Sequence, residues 1–144
     1  MVALIYSDIL NDFAIDYFNT HQIIAPAGQF SLTDQEFDQF VQFASKREFD
    51  HRSESQIEME KLVSAAKKEA LYEKNQELMD KLLGDVTLSK EEFLTHHKQH
   101  IQEALEQEIC TKFYFQKGGA ENILRNDRQL VKAIGLWKDS ILIP

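Results

Sequence analysis

The sequence predicts an all-α fold, and three observations carry that prediction. Apolar residues recur at steps of three and four along most of the chain, which lines one helix face at each place. Two helix starts are spelled out as capping boxes, Thr33 with Glu36 and Ser89 with Glu92. In each, the two side chains bond one another's free backbone N–H groups. Breakers are scarce, five Gly and two Pro in 144 residues, and no segment alternates as a half-buried strand does. The expected architecture is an irregular bundle of about five or six helices, two of them long and antiparallel.

The first helix follows from Val2, Ile5, Ile9, Phe13 and Tyr17, with Leu4, Leu10, Ala14 and Phe18 widening the same face. So broad an apolar face needs neighbours on more than one side. The helix ends near His21, and Pro26 and Gly28 mark a loop. The second helix starts at the Thr33 box. Leu32 and Phe37 sit where a hydrophobic staple holds a helix entry, and Phe37, Phe40, Val41 and Ala44 form its stripe.

Ser53 with Gln56 offers the next cap. No Gly or Pro follows before Leu83, so the expectation is one helix of about eight turns. Its stripe runs through Met59, Leu62, Val63, Ala66, Ala70, Leu78 and Leu82, and weakens around Lys74 and Asn75. Gly84-Asp85 closes it. The Ser89 box opens a second long helix through Phe93, Leu94, Ile101, Leu105, Ile109 and Phe113, which Gly118-Gly119 is expected to stop in the left-handed conformation open to glycine. Asn126 is the expected cap of a last helix with Leu130, Val131, Ile134 and Trp137, followed by an apolar tail, ILIP. There is no internal repeat or low-complexity linker, so residues 1–144 read as one domain.

The formal net charge is −8. Such a surface repels a phosphate backbone, and the short basic pairs Lys46-Arg47 and Lys67-Lys68 do not offset it, so no nucleic-acid partner is expected. The single cysteine, Cys110, allows no intrachain disulfide. The opening MVALIYSDIL lacks a basic leader, and Asp8, Asn11 and Asp12 interrupt its apolar run, so it reads as neither signal peptide nor membrane span.

The loudest chemical feature is His96, His97 and His100. On one helix, His96 and His100 are a turn apart and Glu92 lies a turn earlier, a metal-compatible spacing. The plainer reading is a solvated polar face, and no metal or cofactor is expected. Ser64 and Lys67 match S-x-x-K, the pairing some serine hydrolases use, but inside a helix the N–H groups needed for an oxyanion are already bonded. Cys110 has no histidine to activate it, and Ile109 beside it fits a buried, inert thiol. Gly118-Gly119 lacks the spacing of a phosphate loop. Asp12, Asp16, Glu106 and Glu108 form no evident acid/base pair and read as solvated or helix-end charges. The run Phe113-Tyr114-Phe115 reads as a core face joined to an interface. No catalytic residue is assigned; the candidate interface residues are Tyr17, Phe37, Phe40, Phe113, Tyr114 and Trp137.

One combination is more specific than its parts. Phe13, Ala14, Asp16 and Tyr17 are followed in order by Phe30, Thr33, Asp34, Phe37 and Phe40, and then by Glu108, Ile109, Tyr114, Gly119, Glu121, Leu124, Asp127, Leu130 and Ala133. Over nearly the whole chain this resembles the C-terminal helical region of bacterial carboxy-terminal processing proteases, serine peptidases of the S41 type with a PDZ domain, a protease domain and helical flanks. The family's Ser/Lys dyad lies in the protease domain and matches no position here, so Ser64 and Lys67 do not inherit the role. The resemblance implies a non-catalytic domain that packs on the upstream protease and PDZ domains or mediates homo-oligomerisation. It also implies a parent exported to the periplasm or cell envelope. The alternative is an independent helical adaptor that takes a peptide or partner helix in a groove lined by Phe37, Phe40 and Phe113.

Overall fold

A computed structural model describes residues 8–141, with side chains through residue 137. The expected contributions of Val2, Leu4, Ile5 and the end of the tail lie outside the described residues. Among the described residues seven helices follow one another: α1 (Asp8–Thr20), α2 (Asp34–Ser45), α3 (Glu54–Lys68), α4 (Tyr72–Val86), α5 (Lys90–His96), α6 (Lys98–Asn126) and α7 (Arg128–Ile141). No strand occurs among the described residues. The fold is an all-α bundle, as expected, with a slightly higher helix count.

Local signals place the starts. Thr33 and Ser89 each cap their helix reciprocally with Glu36 and Glu92, and Ser53 accepts from the Gln56 N–H. Leu32 and Phe37 are both buried, as a staple requires. The core lies between α1, α2, α5 and the first part of α6, with the α1–α2 loop contributing Ile24, Ala27, Phe30 and Leu32. Phe13 meets Phe40 and Phe43 edge-on, ring centres 5.2 and 5.3 Å apart, and Tyr17 meets Phe30 at 6.1 Å. These tilted geometries match ring edge to ring face and add to the burial itself. α1 packs mainly along α6, and α2 on α5.

Four boundaries differ from the sequence reading, each for a physical reason. The helix expected from Ser53 to Leu83 is two helices. Ala70 takes φ 56°, its N–H donates to the Lys67 carbonyl (3.4 Å), and the Leu71 N–H donates to the Ala66 carbonyl (2.9 Å). This paired closure ends a helix most often with glycine. α4 then folds back along α3, and Ser53 Oγ donates to the Val86 carbonyl at 3.2 Å, bringing the start of one helix to the end of the other. Folding back lets the apolar stripe cover itself: Val63 and Ala66 are buried and Met79 and Leu83 half-buried. This hairpin packs chiefly on itself.

The second long helix breaks at His97 (φ −100°, ψ 17°) into α5 and α6. Gly118-Gly119 does not stop α6. Neither glycine has positive φ; the chain turns earlier, at Tyr114 (φ −125°, ψ 15°) and Phe115 (φ 59°, ψ −166°). Residues 116–126 then run back antiparallel to residues 98–113. The glycines serve close approach instead: a Cβ at Gly118 would strike Tyr114 and lie 2.8 Å from the Cys110 carbonyl, and one at Gly119 would strike Thr111 Oγ1. Finally, Asp127 rather than Asn126 caps α7, accepting from the N–H groups of Gln129 (2.9 Å) and Leu130 (3.1 Å).

Candidate functional site

The best-built polar site is where the doubled-back α6 grips the α1–α2 loop. Pro26 starts that loop's turn, its carbonyl accepting from Gln29 (2.7 Å) and Phe30 (2.9 Å). The Tyr114 hydroxyl donates to the Ile24 and Ala25 carbonyls at 2.9 and 3.2 Å. Asn122 Nδ2 donates to Ala27 and Phe30 at 3.1 and 3.3 Å, and Arg125 donates to the Phe30 carbonyl. Glu106, only 2% exposed, accepts through Oε1 from Ser31 Oγ, the Leu32 N–H and Gln102 Nε2, each at 2.9 Å. Its Oε2 accepts from Arg125 at 3.1 Å.

A buried carboxylate is tolerable only when charge and lone pairs are met, and here they are. This corrects the reading of Glu106 as a solvated charge. The signal was weak in the sequence because its partners, Ser31 and Leu32, lie far away along the chain. Beside the clamp is an open cleft of about 410 Å³ lined by Gln99, Gln102, Glu106 and Arg125, among others. Glu106 and Arg125 already spend their polar groups on this chain, which fits a fastening more than a reaction centre. Cys110 is fully buried in the same region. Burial, then the nearby Glu106, pushes its thiol up to about 11, against the opposing pull of Arg125, so it stays protonated at neutral pH.

The three histidines do not share a helix. His96 ends α5, His97 sits at the bend and His100 belongs to α6, so the one-turn relation of His96 and His100 does not hold. Burial, then the neighbouring His96 and His100, lowers the His97 pKa. Among the described residues no three His, Cys, Asp or Glu side chains are placed to hold a metal ion. Ser64 and Lys67 are exposed on α3, and the Lys67 ammonium lies over the Tyr72 ring at 4.6 Å. Asp12 pairs with Arg47 at 2.8 Å.

The six candidate interface residues are not brought together. Tyr17, Phe37 and Phe40 are buried inside the domain. Phe113 is half-buried against Phe18, ring centres 4.8 Å apart. Tyr114 is at the α6 turn, and Trp137 is exposed on α7. Phe37 and Phe40 are closed off in the core, so they and Phe113 do not share one groove, whereas Phe113 and Tyr114 line an open cleft together with Phe115 and Pro26.

Exposed apolar side chains are spread over the molecule, including Phe18, Ile23, Phe115 and Leu124 on the part that carries the core. Leu62 on α3 and Leu78 and Leu82 on α4 stand in water, as do Val131 and Ile134 on the strongly amphipathic α7. No helix among the described residues is long and apolar enough to cross a membrane. A family model described as "Probable PDZ-protease, C-terminal helical domain" matches residues 1–137. No curated protein and no solved structure matches the chain.

Proposed function

The chain belongs to the family of C-terminal helical domains of probable PDZ-proteases, and from this we propose that it is a non-catalytic docking domain of such an enzyme. Residues 1–144 form one helical domain, the C-terminal part of the parent. The parent is an S41-type serine peptidase of the periplasm or cell envelope, a reading supported by the sequence resemblance. The domain packs on the upstream protease and PDZ domains and sets their arrangement around the substrate.

The observation that carries this reading is the α3–α4 hairpin. It packs chiefly on itself, yet Leu62, Leu78 and Leu82 face solvent, with Leu78 60% exposed. Exposed leucines on an otherwise charged element that packs chiefly on itself support a contact there. A homo-oligomer held by the same surface is the second reading.

The test is solution mass by light scattering, for this chain alone and mixed with the separately produced PDZ–protease region. A complex of the two supports docking. A self-associated chain that ignores the upstream region supports an assembly module, and a monomer that does neither overturns both.

A further inference from the structure

α6 reverses direction through two residues and no glycine. Phe115, at φ 59° and ψ −166°, occupies a region of backbone space that glycine alone enters without strain. Its ring is 80% exposed, so side-chain burial does not compensate the strain. The turn is held shut from outside. Gly118 and Gly119 seat the returning limb against Cys110 and Thr111, Arg125 reaches the buried Glu106, and Asn122 ties the limb to Ala27 and Phe30.

None of these fastenings requires that both limbs come from one chain. The residues on either side of the turn are already helical. If Tyr114 and Phe115 became helical too, α6 would be one straight rod of roughly 40 Å at the usual rise per residue. That change removes the strain at Phe115 and presents residues 116–141 to another molecule. A second copy offers the same seat, and short strained hinges are where such exchange occurs.

We propose that α6 opens at Tyr114–Phe115 into a continuous helix and that two copies of this chain exchange residues 116–141, forming a domain-swapped dimer. In the dimer, Gly119 of one copy rests on Thr111 of the other, and Glu106 of one copy pairs with Arg125 of the other. The proposal rests on α6 and not on docking to an upstream region, so either can fail alone.

The test uses the 144-residue chain, unfolded and refolded at high concentration, with mass read by light scattering. The expected result is a dimer that persists on dilution, with isotope-filtered NOEs between Gly119 of one copy and Thr111 of the other. Phe115→Gly removes the strain from the closed turn and is expected to cut the dimer fraction at least about tenfold. Phe115→Ala keeps the backbone strain and loses the ring, and is expected to dimerise like the parent sequence. Absence of a dimer, NOEs that stay within one copy, a dimer fraction unchanged by Phe115→Gly, or loss of the dimer in Phe115→Ala would each overturn the proposal.

Discussion

The body built from α1, α2, α5 and α6 and the hairpin of α3 and α4 are both helical and both contain a side-chain-capped helix start, yet different forces hold them. In the body, Phe40, Phe93, Leu94, Ile101, Leu105 and Ile109 are completely buried, and distant segments are stitched together through Glu106, Asn122 and Arg125. In the hairpin, α4 contributes no fully buried residue, and Leu62, Leu78 and Leu82 stand outward. The same composition rules thus yield a dense core in one place and a thin one in the other. Burial, not helicity, separates the region that stabilises the chain from the one proposed to meet a partner.

The contrast breaks most directly on truncation of apolar side chains. Ile101→Ala in the body is expected to cost about 3–4 kcal/mol, transfer plus cavity, whereas Leu78→Ala in the hairpin is expected to stay within about 0.5 kcal/mol. Denaturant unfolding of the two variants measures both. Equal losses would mean that the hairpin is part of the cooperative core.

The polar stitching is the next test. Glu106→Gln turns an amide N–H₂ toward groups that need an acceptor and leaves Arg125 without its counter-charge. The expected loss is about 2–3 kcal/mol, moderated because Arg125 is partly exposed. A loss below about 0.5 kcal/mol would show that the loop is held by its apolar residues alone.

In the hairpin a substitution is expected to help. Ala70 bears the left-handed conformation at the end of α3, and Ala70→Gly is expected to add about 1 kcal/mol to hairpin stability. Local hydrogen exchange of α3 and α4 amides reads this out, and faster exchange in the variant would contradict the assigned backbone.

The smallest effect concerns acid. Burial raises the pKa of Glu36, but hydrogen bonds from the Tyr17 hydroxyl (2.6 Å) and the Thr33 N–H (2.8 Å) outweigh it and hold the carboxyl below its usual range. The folded value is below the unfolded one. Its contribution is therefore complete above the usual glutamate range and is lost as pH falls through the folded value. Glu36→Gln is expected to flatten this acid limb of the stability profile, and an unaltered limb would remove Glu36 from it.

How much was legible in the sequence follows from how far each signal reaches. The boxes at Thr33 and Ser89 act over three residues and were readable, as were the apolar stripes that become the core. The break at Ala70 was not, because alanine rarely ends a helix in this way. Gly118-Gly119 suggests a stop because glycine serves two purposes, conformational freedom and close packing, and the sequence does not distinguish them. Phe115 hid the true turn by occupying a glycine's conformation. The Glu106 clamp depends on pairs 74 and 75 residues apart, and no local pattern announces it. Of the six candidate interface residues, Tyr17, Phe37 and Phe40 lie in the core and Tyr114 and Trp137 at the surface, while the hairpin's Leu62, Leu78 and Leu82 fit a buried stripe by spacing alone but stand exposed.

The docking proposed above assigns the fold's stability to the body and the contact with an upstream partner to the hairpin. Hydrogen exchange of this chain, with and without the separately produced PDZ–protease region, tests it most directly. Slow exchange is expected in α1 and the first limb of α6 in both samples, with protection gained on mixing along α3 and α4 around Leu62, Leu78 and Leu82. Protection that appears only in the body, with the hairpin exchanging as fast as before, would contradict it.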